Sequence, residues 1–599
     1  MRRQFPLWPL MIPLLLLNAW LAMRGLNADT YWLDEVLSLS HAGGGIYPPR
    51  TPLQIIEQID PWQAPVYPIL NARWGRVVGW SPLAMRYGSL LVGMLTLALT
   101  FQFGRATVSP AVGLGAAAIL GTSAMFVYFQ HELRAYVLST TVVMLTLWLY
   151  WRVIHKPGLW GYVALWAALL LTIYTHYLGV VGLVGIAVYH LLFAPKSRQW
   201  VGPIVVAGCA LLFFAVFPPA IVESVLTGQG SGPAQEDSME MAAVALTTVQ
   251  LFSSGAVVLW AAATVLAVGR GRAAWVLAVS ACAVMLLAND ELNFVNPGRE
   301  RYLLVLFPLL ALVAAGALAA RWRVVRVGTA GLIAVWAAFG VFTTLRGDFV
   351  SDFDGAQALP WDEVAVALDA YAAPNTALAL HSSGSDWIME IQTAEYHLHD
   401  MPVNFTVIES FRRRFFTEQA QEFAADANHV WLATDQRHPS SERYQQFGEA
   451  LRDDYMNCGP VYSLRYMSFD LYVKRPQGTA ENPVVTFNGA IDLHEFIAVD
   501  MDNTLVVRTL WDIPDNVADG TYSVGMYLLD AAGEVVTQAD TGLPYEPAAC
   551  IQNGFALSGL RPGDYTIAAR VYNWQTGDVL PSSGGDSDTP TLHGFTISR

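Results

Sequence analysis

About eleven apolar stretches of near-membrane length, parted by short gaps of alternating charge, constrain this chain more than any other feature. They run approximately over 5–23, 83–103, 112–129, 135–151, 160–174, 178–193, 201–220, 244–268, 273–288, 302–320 and 327–343. A perpendicular span takes about 20 residues, so the shorter stretches imply tilted or broken helices. Composition agrees. Of 599 residues only 14% are charged, against about 25% in an ordinary soluble domain. The net charge of −15 argues against nucleic acid as a partner, because no excess of cations is available to neutralise phosphates.

The gaps set the orientation. Arg2 and Arg3, then Arg105, Arg152 with Lys156, Lys196 with Arg198, Arg270 with Arg272, and Arg321, Arg323 and Arg326 fall in every second gap. One of the alternate gaps holds Glu223, Glu236, Asp237 and Glu240 and has no Lys or Arg. Basic residues stay cytoplasmic, so the expected topology has a cytoplasmic N-terminus and everything after Thr343 outside. The first stretch follows two arginines as a signal peptide would. It is long, however, carries Trp8 and Trp20, and lacks a small-x-small cleavage site, so it reads as an uncleaved anchor.

The expected fold is therefore a polytopic α-helical membrane protein over 1–345, followed by an extracytoplasmic α/β region over 350–476 and a β-sandwich over 480–599. The first outer loop, about 26–81, contains a partly amphipathic segment at 52–59 suited to lying along the interface. In the α/β region, helical patches at 361–371, 417–427 and 442–451 mix with short apolar strands at 377–381, 430–433 and 471–473. The sandwich rests on strands at 505–511, 522–529, 535–539 and 565–572, set between Gly, Pro and Asp turns. Cys209 and Cys282 lie in apolar runs and read as buried thiols; whether Cys458 and Cys550 pair is left open.

Ionisable residues at a membrane boundary are costly, which makes each a functional candidate. Four groups fall on the outer side: Asp34 and Glu35 after the first stretch; His131, Glu132, Arg134 and Tyr136 between the third and fourth; His176 and Tyr177 between the fifth and sixth; and Asp290, Glu291, Arg299, Arg301 and Tyr302 before the tenth. Each has an ordinary reading as well. Adjacent carboxylates are usually solvated, arginines snorkel to headgroups, and His-Tyr pairs suit an aromatic belt.

The order of these motifs resembles the GT-C class of integral-membrane glycosyltransferases, specifically family 39, the protein O-mannosyltransferase and aminoarabinose-transferase type. Asp34-Glu35 resembles that family's Asp-Glu motif. Gln63-Ala64-Pro65-Val66-Tyr67 stands where relatives carry His-Pro-Pro-Leu-Tyr, and the turn from Tyr128 to Tyr136 is similar to Gln-Glu-Ala-Arg-x-Tyr. Thr175-His176-Tyr177 and the run from Arg301 to Pro308 match in kind and order, so the resemblance covers about 1–345. His131 in place of Gln and Gln63-Ala64 in place of His-Pro are departures that bear on donor or acceptor recognition.

The resemblance implies transfer of a sugar from a polyprenyl-phosphate carrier to an extracytoplasmic glycan, lipid or protein acceptor, with inversion. Asp34 would be the general base, with Glu35 orienting it or binding the acceptor. Arg134, Tyr136, Arg301 and Tyr302 would hold the donor phosphate. His131, Glu132, His176 and Tyr177 would serve the acceptor or a divalent cation (Mg or Mn), the metal itself being left open. Two rivals stand beside this reading. A transporter or flippase of lipid-linked sugars would show inverted repeats and polar groups near the midplane, whereas the polar groups here gather at one face. A membrane-anchored carbohydrate-binding surface protein would need far fewer spans. The expected location is the plasma membrane.

Overall fold

The computed structural model describes residues 7–27, 30–58, 63–217, 240–292, 295, 300–347, 361–370, 375–382, 387–401, 403–409, 416–435, 442–464, 467–475, 483–501, 504–514, 517, 520–544, 548–583 and 588–597. The chain divides into two compact units, Met1–Ala358 and Leu359–Arg599.

The first unit is helical: α1 (Met11–Met23), α2 (Leu33–Ala42), α3 (Pro52–Gln58), α4 (Val66–Val78), α5 (Pro82–Thr107), α6 (Pro110–Gly121), α7 (Ala124–Phe129), α8 (Tyr136–His155), α9 (Leu159–Thr175), α10 (Val180–Leu192), α11 (Val201–Val216), α12 (Met241–Phe252), α13 (Val257–Ala267), α14 (Arg272–Leu292), α15 (Phe307–Ala314) and α16 (Arg323–Arg346). Local chemistry explains several starts. Ser81 and Ser109 each accept a backbone N–H of the first turn and are followed by proline, whose missing donor is harmless there. The α5–α6 crossing depends on small residues: a Cβ at Gly113 would come within 2.3 Å of the Phe101 carbonyl oxygen. Large side chains such as Leu95, Leu212, Val258 and Val324 point outward and exposed, as a lipid-facing surface requires.

The exact count of eleven spans is not confirmed. Among the described residues five helical segments are long and apolar enough to cross a membrane: Pro82–Thr107, Tyr136–His155, Arg272–Asp290, Glu300–Ala319 and Arg323–Arg346. The stretch read at 244–268 is broken into α12 and α13, bent by 96°, and would bring the number to six as one span. Ser254 and Gly255 take positive φ at the bend. Ser254 Oγ accepts the Ala124 N–H at 3.1 Å and Trp336 Nε1 donates to the Ser253 carbonyl at 3.0 Å, so the break is pinned by its neighbours. Five further apolar helices are shorter. The loop over 26–81 holds three helices: α3 falls on the amphipathic segment, while α2 and α4 were not expected.

In the second unit a five-stranded sheet has the order β2-β1-β3-β5-β4. It comprises β1 (Thr376–Ser382), β2 (Val403–Glu409), β3 (His429–Asp435), β4 (Tyr455–Leu464) and β5 (Met467–Lys474). β1 runs parallel to β2 and β3, and β5 antiparallel to β3 and β4. Two four-stranded antiparallel sheets follow, β10-β9-β12-β13 and β11-β8-β7-β6. Their strands are β6 (Val485–Phe487), β7 (Ile491–Met501), β8 (Thr504–Asp512), β9 (Tyr522–Asp530), β10 (Val535–Gly542), β11 (Ala548–Ala556), β12 (Gly563–Asn573) and β13 (Thr591–Ile597). Strand β8 shows why the layers adhere. Leu505, Val507 and Trp511 enter the sandwich core, while Val506 and Leu510, facing the other way, join the core of the five-stranded sheet. Cys458 on β4 and Cys550 on β11 form a disulfide across the same junction. Of the two free thiols, Cys209 is exposed rather than buried and Cys282 is half-buried.

Candidate active site

Helix α2 places the two carboxylates. Trp32 is extended at its N-cap, and Asp34 and Glu35 occupy the first turn, where unpaired N–H groups favour negative charge. The helix stops at Gly43 (φ 66°), where a Cβ would come within 2.5 Å of the Pro48 carbonyl oxygen, a position open only to glycine.

Consecutive residues on a helix diverge by about 100°, and here they meet different partners. Glu35, wholly buried, is gripped by Arg86 of α5, with Nε on Oε1 at 2.8 Å and Nη2 on Oε2 at 2.5 Å. Arg86 also donates to the Thr30 carbonyl at 2.8 Å, and the Leu133 N–H donates to Glu35 Oε1 at 2.8 Å. One carboxylate therefore ties the loop before α2, helix α5 and the 131–135 turn together. Asp34 faces elsewhere. Its Oδ2 lies 3.3 Å from Arg134 Nη2 and 3.3 Å from Arg301 Nη2. Arg134 Nη1 further donates to the Asp34 carbonyl at 2.9 Å and to Ser38 Oγ at 3.3 Å, which fixes the fork.

Around these cations stand aromatic rings. The Arg301 guanidinium lies 5.6 Å from the Tyr136 ring centre and 5.9 Å from those of Trp32 and Tyr302. The rings of Tyr136, His176 and Tyr302 are mutually within 5.9 Å. They line a cavity of about 10 Å³ with Ser139 and Arg301. In the turn before α10, burial and then the charges of Arg134 and Arg301 push His176 down to about 4, so it is neutral at pH 7.

The structure thus brings together Asp34, Glu35, Arg134, Tyr136, His176, Arg301 and Tyr302. Glu132 is buried close enough to Arg301 for their charges to interact. His131 stands apart, beside Arg86 and the Ala22 backbone, and burial pushes it down to about 4. Tyr177 is half-buried beside Tyr174. Asp290 is exposed, whereas Arg299 and the side chain of Glu291 lie outside the described residues. The same holds for Arg2, Arg3 and the 223–237 acidic gap. Among the described residues no three His, Cys, Asp or Glu side chains gather as metal ligands, and His176 lies against tyrosine rings rather than a second ligand.

Two residues had no assigned role from sequence. Arg86 sits four residues into a long apolar helix, where an arginine reads as a headgroup anchor; its burial at 4% exposure is what reveals it. Tyr67 is half-buried beside Asn71, near Arg134 and Glu35.

No curated protein sequence matches this chain. Among solved structures, the fold is similar to ArnT from Cupriavidus metallidurans bound to undecaprenyl phosphate (TM-score 0.49, 12% identity, 79% of this chain and 100% of that one). It is also similar to the arabinofuranosyltransferase AftD from Mycobacteria (TM-score 0.47, 11% identity, 98% and 60%). A third is the Archaeoglobus fulgidus oligosaccharyltransferase (TM-score 0.45, 10% identity, 95% and 97%). By sequence, residues 62–222, which carry Tyr67, Arg86, Arg134, Tyr136 and His176 but neither Asp34 nor Arg301, match the family described as dolichyl-phosphate-mannose-protein mannosyltransferase.

Proposed function

We propose that this chain is an inverting membrane glycosyltransferase that moves a sugar from a polyprenyl-phosphate carrier to an acceptor hydroxyl on the extracytoplasmic side. The observation that carries the reading is Asp34 Oδ2 held between Arg134 and Arg301 at 3.3 Å each. It places a proton acceptor beside two cations suited to a leaving phosphate. The family match over 62–222 supports the reading, and the alternating basic gaps support a cytoplasmic N-terminus with the second unit outside.

In this mechanism the acceptor oxygen attacks the anomeric carbon and its proton passes to the Asp34 carboxylate. The bond between that carbon and the phosphate oxygen breaks on the opposite face, and its electron pair stays with the polyprenyl phosphate. Arg134 and Arg301 take up the charge that develops there, with Tyr136 and Tyr302 as hydroxyl donors. A cavity of about 10 Å³ holds no phosphate, so donor entry must part the rings. The incoming phosphate then competes with Asp34 for both guanidinium groups. Once they turn to the phosphate, Oδ2 is released for the acceptor proton, which makes donor binding come first. Glu35 serves as scaffold through Arg86 rather than in proton transfer, and no metal is assigned.

The test is transfer of radiolabelled sugar from polyprenyl-phosphate donors in membranes, comparing wild type with Asp34→Asn at matched expression. We expect transfer by the wild type and a loss of about 10²–10⁴-fold in the variant, with donor still bound. Equal transfer by both removes Asp34 as base. A wild type that transfers nothing across a panel of donors and native acceptors overturns the assignment.

A further inference from the structure

A cavity of about 530 Å³ lies within the second unit, where the five-stranded sheet meets the sandwich. Its volume falls in the range of small-molecule sites, about 300–1,000 Å³. The walls come from the end of the helix Glu442–Leu451, from β4 and β5, and from the β10–β11 segment. The disulfide between Cys458 and Cys550 joins β4 to β11 at this junction, so the two walls are covalently fixed to each other.

Charge singles the cavity out. Residues 359–599 hold 33 Asp and Glu against 13 Lys and Arg. The charged lining residues are nevertheless both cations, Arg452 and Arg475. Arg475 is held in place, its Nε donating to the Arg452 carbonyl at 3.3 Å and its N–H to the Asp454 carbonyl at 2.7 Å. The remaining polar groups include Asn457, Thr541 and Gln552. Amides and hydroxyls both donate and accept, as sugar hydroxyls do, and a guanidinium grips a carboxylate or phosphate through paired donors.

We propose that this cavity binds a short acidic oligosaccharide, with its carboxylate or phosphate on Arg452 and Arg475 and its hydroxyls on the amide and hydroxyl side chains. Saturable binding here would be independent of sugar transfer, so this inference and the transferase reading fail separately.

The experiment is calorimetric titration of the full chain in nanodiscs with trigalacturonate, maltotriose and tetraglutamate. The variants are Arg452→Gln and the double variant Arg452→Gln/Arg475→Gln. We expect saturable binding of trigalacturonate, at least tenfold weaker maltotriose and tetraglutamate, and a tenfold or greater loss in Arg452→Gln at unchanged unfolding temperature. Arg452 is exposed, so it tests the site even if the double variant unfolds. No binding of trigalacturonate, or binding indifferent to Arg452, overturns the proposal. Equal binding of maltotriose removes the role of charge, and equal binding of tetraglutamate removes the saccharide.

Discussion

Asp34 and Glu35 are neighbours in sequence with separate duties, and their substitutions should fail in different ways. Glu35→Ala leaves Arg86 as an uncompensated buried cation, a loss of about 3–5 kcal/mol. It should appear as a lower unfolding temperature in detergent, whereas Asp34→Asn should unfold near the wild type. Replacing both partners, as Glu35→Leu with Arg86→Met, should recover much of that loss; no recovery would mean that the ion pair is not what Glu35 supplies. Arg301→Lys keeps the charge and gives up the planar fork, so donor KM should rise more than acceptor KM. At this scale the sequence displayed the carboxylates and the cations, because ionisable residues stand out against an apolar background. It hid which of them meet. Arg86 drew no reading, because membrane depth and burial are indistinguishable in a hydropathy pattern, and His131 was grouped with Glu132, Arg134 and Tyr136 because adjacency in a turn conceals direction.

At the level of elements, the turn that carries His176 makes a prediction about pH. Its folded value of about 4 lies below the ordinary 6.5 of histidine, so between those values the unfolded chain binds the extra proton. Stability is therefore level above pH 6.5 and falls as pH drops toward 4. His131 acts in the same direction. The unfolding temperature should decline between pH 7 and pH 4.5, and His176→Gln should flatten part of that slope; an unchanged slope would mean that His176 does not contribute to it. Long apolar elements such as α5, α8 and α16 were readable because hydropathy alone defines them. Helices α2 and α4 were not, since they alternate polar and apolar residues inside a loop rich in Pro and Gly. The bend between α12 and α13 was equally hidden, for it depends on hydrogen bonds to Ala124 and Trp336, distant in sequence.

For the whole molecule, hydropathy collapses beyond Arg346 and the chain divides into two units at Ala358. Strands β2, β4, β6, β7, β11 and β13 were missed, because strands set by packing against their partners carry little local signal. The disulfide joins the sheet to the sandwich over a separation of 92 residues. Cys550→Ser should cost the second unit about 2–5 kcal/mol, measured by denaturant unfolding beside wild type under oxidising conditions; equal midpoints would show that the bridge is dispensable. The same separation has a consequence for biosynthesis. A ribosome adds about 5–20 residues per second, so Cys458 waits roughly 5–20 s for its partner to emerge. Through that interval β4 is the unpaired edge of its sheet with a free thiol upon it, a template for wrong pairing. Yield of the mature chain should therefore follow the supply of thiol oxidant where the tail emerges, and a host deficient in that supply should accumulate intact helices carrying an unfinished tail.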